Sequence, residues 1–169
     1  MGEGGGFGGT ALEDIPTAGT ELSCSMIDKT RAIALRVYPF STTSHVIVWL
    51  TPDRGRLVTT AKGAQRPRSL LLGQYDTFYT CELLFYAREI NGLHVLKECE
   101  PFETRPRLRS DWRATAMASY ASDMLARVAL EHHPQEELYN LLTTGLDFVA
   151  AAGARPPLLP WFDLALLRI

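Results

Sequence analysis

The chain has 169 residues, of which 46% are hydrophobic and 21% charged, and its 19 acidic and 17 basic side chains give a net charge of −2. These are ordinary globular values, which exclude a wholly disordered chain, a collagen-like chain and a small disulfide scaffold. No apolar run approaches the ~18 residues that a membrane helix needs, and the first 25 residues contain neither Lys or Arg nor the apolar core of a secretory signal. The sequence therefore predicts a cytoplasmic protein with no membrane partner.

The cysteines and histidines do not form a recognisable metal-binding pattern. Cys24, Cys81 and Cys99 are widely spaced and never form a CxxC pair, which predicts reduced thiols. His132 and His133 are adjacent, so they would point to different faces of a helix. The sequence also lacks a G-x-S-x-G nucleophile motif and a glycine-rich phosphate loop. We expect no metal, no cofactor, no small-molecule substrate and no enzymatic activity.

In chain order, three parts differ in composition. Residues 1–25 are rich in glycine and carry four acidic side chains and no basic one, which predicts a disordered tail. Met26 follows directly, so the functional chain starts either at Met1 or at Met26. Residues 26–104 are predicted to form a β-rich domain, and residues 105–169 a helical domain.

The β-rich part contains five runs with strand character, at 32–38, 45–50, 56–62, 74–88 and 93–100. The turn Pro52-Asp53-Arg54-Gly55 predicts a tight hairpin between the second and third runs, and Asn91-Gly92 predicts another before the fifth. Three antiparallel strands, a long connection and two further strands indicate a small OB-type barrel, with an SH3-like barrel as an alternative. The predicted fold class is α+β, a five-stranded OB-type β-barrel followed by helices.

The helical part begins after Pro106, where the apolar spacing becomes helical. Ser110 and Asp111 offer cap side chains for a first helix through Arg127. Pro134 is predicted as the first residue of a second helix, which runs through Val149 and ends at Gly153.

A third helix is predicted after Pro156-Pro157, and the chain ends at Ile169 while the apolar pattern is still strong. Its large apolar side chains are Trp161, Phe162, Leu166 and Leu167. Either this face packs on the other helices, or the chain ends before an element that would have covered it and the helical domain is incomplete. In the second case we expect part of the face to remain uncovered, with self-association or low solubility as the consequence.

Basic side chains are concentrated between residues 53 and 68, where five of them face one acid, Asp53. The five candidate DNA-binding residues are Arg54, Arg56, Lys62, Arg66 and Arg68. Strand alternation places Arg56 and Lys62 on one face, so the segment predicts a basic edge that contacts phosphates. Ordinary solvated surface charge is the alternative.

Aromatic side chains in the same part could stack on nucleic-acid bases. They are Tyr38, Phe40, Tyr75, Phe78 and Tyr79. On strands such residues are more often part of the core, so the sequence leaves both interpretations open.

Several of these segments together resemble the amino-terminal domain of the RecO recombination mediators. The segments are 32–36, 50–57, 61–69 and Leu72-Gly73. The order and spacing of Gly55, Lys62-Gly63, Arg66 and Ser69 carry the resemblance, and the helix at 161–168 is similar to the family's helix at that position. The resemblance covers residues 26–169.

The resemblance implies an OB barrel followed by a helical domain. It also implies a role in DNA repair and recombination in response to DNA damage: binding single- and double-stranded DNA, annealing complementary strands and loading recombinase. The implied partners are RecR and the acidic tail of single-strand-binding protein. A protein-interaction module, whose basic edge docks an acidic peptide, is the alternative from another functional class.

Two departures from the family pattern are visible. Ser41-Thr42 stands where the family's first turn usually contains Gly-Glu. Many relatives also continue beyond the last helix into a segment with paired, zinc-binding cysteines, whereas this sequence stops at Ile169. We therefore expect a truncated product, a fragment or a natural short form.

Overall fold

The structure is a computed structural model that describes residues 26–88 and 93–169. The predicted tail, Cys24 and the predicted turn at Asn91-Gly92 lie outside these residues. The described chain holds five strands followed by four helices, which confirms the predicted α+β class. No helix in the described ranges is long and apolar enough to cross a bilayer.

The five strands form one sheet that closes on itself. They are β1 (Ile27–Pro39), β2 (His45–Thr51), β3 (Gly55–Ala61), β4 (Thr80–Tyr86) and β5 (Leu93–Glu103). Their order is β1-β2-β3-β5-β4, and β4 pairs back with β1. All pairs are antiparallel except β3 with β5. The antiparallel β1-β2-β3 meander is as predicted, and the arrangement fits the OB-type barrel.

Side-chain alternation along the strands builds the interior of the barrel. Ile47 and Trp49 of β2 are fully buried, as are Leu83 and Phe85 of β4. The indole Nε1 of Trp49 donates a hydrogen bond of 2.8 Å to Thr59 Oγ1, so its polar atom is satisfied inside the core. Each large apolar side chain buried in this way contributes about 1.5–3 kcal/mol to folding.

The predicted fourth strand was wrong in extent, because it begins at Thr80 rather than at residue 74. Residues 74–79 are irregular, with a turn at Thr77-Phe78, and Phe78 has a φ of +69°, which a strand does not accommodate. Phe78 N nevertheless donates a hydrogen bond of 2.8 Å to Ala34 O, and Ala34 N donates one of 2.9 Å to Tyr79 O. This irregular segment buries aromatic rings as a strand would, which explains the misleading pattern.

The helices are α1 (Arg107–Ser110), α2 (Trp112–Val128), α3 (Glu136–Ala152) and α4 (Leu158–Leu166). Asp111 caps α2 as predicted, since its carboxylate accepts a hydrogen bond of 2.9 Å from Arg113 N. Gly153, with a φ of +77°, ends α3 as predicted.

One prediction for the helices needs correction. Pro134 is not the first residue of α3, because Gln135, with a non-helical φ of −140°, is the cap residue, and its N donates a hydrogen bond of 2.8 Å to Pro52 O. In α4 the apolar face is covered only in part. Phe162 is buried and packs against Gly145 of α3, whereas Trp161 and Leu167 are exposed; self-association stays a prediction.

The barrel and the helices share one hydrophobic cluster. Ile33, Leu50 and Phe78 from the barrel side pack with Leu125 and Leu142 of the helices. Small side chains of α2, among them Ala114 and Ala118, allow the close approach that this packing needs.

Two residues fix this contact: Arg105, which the sequence analysis missed, and the hairpin glycine Gly55. The buried Arg105 donates hydrogen bonds from Nη1 to Phe78 O at 2.9 Å and Thr80 Oγ1 at 2.7 Å, and from Nε to Asp147 Oδ1 of α3 at 2.6 Å. At the β2–β3 hairpin, Gly55 has a φ of +66°, and a Cβ there would lie 2.6 Å from His133 O. The segment between α2 and α3 therefore rests directly on the hairpin backbone.

Candidate nucleic-acid interface

The connection between β3 and β4 is held against the end of the barrel by its apolar side chains. Ala64, Leu71 and Tyr75 are buried in the barrel core. Burial raises the pKa of Tyr75 to about 12, and its hydroxyl lies 2.8 Å from His45 Nδ1. Because these anchors point inward, the intervening polar side chains are presented on the outside.

Hydrogen bonds donated by backbone amides join this connection to the turn between β1 and β2. Gln65 N donates to Thr43 O at 3.0 Å, and Gly63 N donates to Ser44 Oγ at 3.1 Å. The two segments therefore form one continuous surface at this end of the barrel.

Three of the five predicted DNA-binding residues lie on this surface: Lys62, Arg66 and Arg68. All three are exposed, and within the described parts of the chain none of them forms a salt bridge. We call them the loop cations. Gly63, with a φ of +63°, lets the Arg66 side chain pass beside it, since a Cβ there would lie 3.4 Å from Arg66 Cδ.

The other two predicted residues, Arg54 and Arg56, lie at the opposite end of β3, about 20 Å away at ~3.3 Å per strand residue. Arg54 Nη2 pairs with Asp28 Oδ2 at 3.0 Å. Arg56 Nη2 pairs with Glu131 Oε1 at 2.8 Å, and its Nη1 donates to Ala126 O at 3.1 Å. We call these two the hairpin cations. The structure thus separates the predicted basic edge into two groups with different surroundings.

Burial also separates the predicted aromatic candidates. Tyr75 and Phe78 are core residues, with 9% and 6% of their surface exposed. Tyr38 is 43% exposed and its hydroxyl accepts a hydrogen bond from Arg36, whereas Phe40 is 66% exposed. Phe40 begins the β1–β2 turn, next to the loop cations.

Exposed leucines beside the loop cations were not anticipated from the sequence. Leu70 is 84% and Leu72 45% exposed, and both follow Arg68 in the same connection. The sequence shows that this loop contains several apolar side chains. It does not identify which of its leucines are buried and which are exposed.

The chemistry available to the thiols is limited. Cys81 and Cys99 are free and buried, and both Sγ atoms donate to Gln74 O, at 3.8 and 3.5 Å. The hydrogen bond with Cys81, followed by burial, raises the pKa of Cys99, which makes it a poor nucleophile. Residues 26–88 and 93–169 contain no cluster of three His, Cys, Asp or Glu side chains suited to a metal ion.

A concave surface lies between α3 and α4, away from the loop cations. It is a groove of about 470 Å³ whose walls include Phe148, Leu158 and Trp161, with Arg155 at its edge. Nothing in the described chain fills it.

Comparison with known proteins adds independent information. Residues 26–105 match the family described as "Recombination protein O N terminal", and residues 109–169 match "Recombination protein O C terminal". Similar proteins named "DNA repair protein RecO" occur in Syntrophus aciditrophicus (26% identity over 83% of this chain and 54% of the relative) and Symbiobacterium thermophilum (32% over 81% and 54%).

A third relative with that name, from Synechococcus elongatus, is 33% identical over 69% of this chain and 43% of its own length. The chain spans about half the length of the curated relatives it matches. Both consecutive family matches follow the order barrel then helices that the structure shows. On these grounds the chain belongs to the recombination protein O, or RecO, family.

Proposed function

We propose that this chain acts in DNA repair and recombination by binding the phosphate backbones of single- and double-stranded DNA. The observation that carries the proposal is the exposure of Lys62, Arg66 and Arg68 on one ordered surface, without acidic partners among the described residues. Cations in this state release condensed counterions from DNA when they contact phosphates, which favours binding without regard to base sequence.

The same surface supports strand annealing. Two DNA strands repel each other through their phosphates, and a cationic surface that contacts both reduces this repulsion. No covalent bond is made or broken in this step. Family membership supports the further proposals that annealing serves recombinase loading and that RecR and the acidic tail of single-strand-binding protein are partners, in the cytoplasm.

For the hairpin cations we propose a mainly structural role. Arg54 and Arg56 were predicted to bind DNA, and that prediction remains untested. Their ion pairs with Asp28 and Glu131 already neutralise part of their charge, so each has less to gain from a phosphate.

Docking of an acidic peptide is a second candidate function for the same surface. The exposed Leu70 and Leu72 beside Arg68 favour it, because a peptide with both acidic and apolar side chains would use both kinds of contact. Nucleic acid requires the cations but not the leucines, which makes the two candidates separable.

The test replaces all three loop cations by alanine and measures oligonucleotide binding by fluorescence anisotropy over a range of salt concentrations. We expect single-strand and duplex affinities to fall together. The slope of log K against log salt should decrease in magnitude by about 2–3, as three lost phosphate contacts imply. The melting temperature should hardly change, because the three side chains are exposed.

The matched control replaces Arg113, Arg127 and Arg155, three exposed arginines of the helical part, so that net charge changes equally. If the control loses as much affinity as the loop variant, overall charge rather than this surface binds DNA. A wild-type protein with no affinity for any oligonucleotide at low salt would contradict the proposal. A loop variant that still anneals strands at the wild-type rate but loses a peptide partner would support the second candidate.

A further inference from the structure

The position of Phe40 relative to the loop cations suggests a second component of the same binding surface. Pro39, His45 and Ala61 are paired across β1, β2 and β3 in one row. Phe40 and Lys62 each follow the end of this row, so two strand spacings of ~4.8 Å place their backbones about 10 Å apart. This distance is shorter than a bound strand of ~4–16 nucleotides, which is the stretch that one OB-type fold covers.

The backbone around Phe40 is fixed by hydrogen bonds. Phe40 N donates to Ser44 O at 2.9 Å, and Ser44 N donates back to Ser41 O at 3.4 Å. Through Thr43 and Ser44 this turn is also joined to the loop that carries Arg66 and Arg68. Phe40 and the loop cations are therefore carried by segments that hydrogen bonds join into one surface.

Phe40 differs from Tyr38 and Phe102, the other exposed aromatic residues of the described barrel, in having no partner for its side chain. Arg31 lies 5.9 Å from the Phe102 ring centre, and the Tyr38 hydroxyl accepts a hydrogen bond from Arg36. Within the described residues no cation or second ring faces the Phe40 ring, and 66% of the residue is exposed. In the same ranges Phe148 and Trp161 also lack such a partner, but they belong to the helices and line the groove between α3 and α4.

We propose that Phe40 stacks on an unpaired base and gives the loop surface a preference for single-stranded over double-stranded DNA. Every base has an aromatic face, so stacking does not depend on base identity, and in a duplex those faces are occupied by neighbouring base pairs. The loop cations contact phosphates of either form, whereas Phe40 contacts only a strand whose bases are free. This inference rests on the proposed function and adds to it the form of DNA that the surface selects.

The test compares Phe40→Ala with the wild type on a single-stranded oligonucleotide, on a duplex of the same sequence and on a single strand made of abasic sites. We expect single-strand affinity to fall about 5- to 150-fold, the range for loss of one stacked base. Duplex and abasic-strand affinities should remain within twofold of wild type. Phe40→Trp should restore single-strand binding, because tryptophan keeps an aromatic face.

Phe102→Ala is the matched control, since it removes another exposed phenylalanine from the barrel, 58% exposed and already covered by Arg31. It should leave all three affinities unchanged. The stacking role is wrong if Phe40→Ala weakens single-strand and duplex binding equally, or weakens neither of them. If the loop-cation variant still loses both kinds of binding, the proposed function stands. If the wild type binds none of the three oligonucleotides, both fail together.

Discussion

The two ends of β3 carry basic side chains of the same kind in opposite situations. At the hairpin end, Arg54 and Arg56 are half-buried and paired with carboxylates, Asp28 of β1 and Glu131 of the segment between α2 and α3. At the loop end, Lys62, Arg66 and Arg68 are exposed and have no acidic partner in the described ranges. At one end the charge is already paired within the protein, and at the other it has no partner among the described residues.

This difference could not be derived from the local sequence. Within residues 53–68 all five basic residues share a single acid, Asp53, so they look equivalent. The partner of Arg56 is Glu131, 75 residues later in the chain, and that of Arg54 is Asp28 on another strand. The docking of the helical part brings Glu131 to this end of β3, and the pairing of β1 in the closed sheet brings Asp28 there.

The largest expected effect comes from the hairpin end, where Gly55→Ala should destabilise the protein by about 2–5 kcal/mol. A left-handed backbone costs a residue with a Cβ about 1–2 kcal/mol, and overpacking costs a further 1–3 kcal/mol. The clash is with backbone oxygens of Leu130 and His133, which cannot rotate away. Urea unfolding monitored by tryptophan fluorescence measures the change.

Gly73→Ala in the loop is the matched control, because Gly73 has a φ of +74° but nothing within 4 Å of its would-be Cβ. It should cost only the ~1–2 kcal/mol of the backbone conformation. Equal losses in the two variants would mean that the helical part does not press on the hairpin, and the structural role assigned to that end would be lost.

The second prediction separates the two groups of cations directly. Arg56→Ala should lower the free energy of unfolding by about 1–2 kcal/mol, because it removes two interactions. They are a half-exposed ion pair worth at most ~1 kcal/mol and a hydrogen bond to Ala126 O worth about 1 kcal/mol. Its affinity for oligonucleotides should stay close to wild type. Lys62→Ala should do the reverse, with unchanged stability and weaker binding. Anisotropy and urea unfolding on both variants test the comparison, and an Arg56→Ala variant that is stable but binds DNA poorly would reverse the assignment.

Much of the fold was predictable because local patterns determined it. The second strand was predicted at 45–50 and runs His45–Thr51, since its run of β-branched and aromatic residues ends at a Pro-Asp turn. The cap of α2 and the end of α3 depend on single residues, Asp111 and Gly153, whose conformational preferences are strong. The fourth strand was misplaced because Tyr75 and Phe78 are buried from an irregular segment rather than from a strand.

For the candidate site, sequence identified the basic segment but not its division or its neighbours. Phe40 was one of five aromatic candidates, and its exposure distinguishes it from Tyr75 and Phe78, which are buried in the core. Arg105 was missed altogether, because a buried arginine is defined by acceptors such as Phe78 O and Asp147 that tertiary packing brings to it.

The smallest predicted effect is a pH dependence at the hairpin end. His94 of β5 is buried, and its Nδ1 accepts a hydrogen bond of 3.0 Å from Arg88 N. Burial, with smaller contributions from nearby His132 and Arg54, lowers the pKa of His94 below its ordinary value of 6.5, against the opposing effect of two carboxylates. These carboxylates belong to Asp28 and Glu131.

The direction of the effect follows from proton binding. Above pH 6.5 His94 is neutral in both the folded and unfolded chains, so it has no influence on stability. As the pH falls below 6.5 the unfolded chain binds a proton that the folded chain resists, and stability decreases until the pH reaches the lowered folded-state pKa.

His94→Asn should reduce this decrease, because its Oδ1 can accept the Arg88 hydrogen bond without titrating. Urea unfolding of this variant, of wild type and of His133→Asn between pH 7.5 and 5.5 provides the test, and only His94→Asn should flatten the curve. If all three curves coincide, His94 is either not buried neutral or not titrating in this window, and the hairpin end would carry no more pH-sensitivity than the rest of the protein.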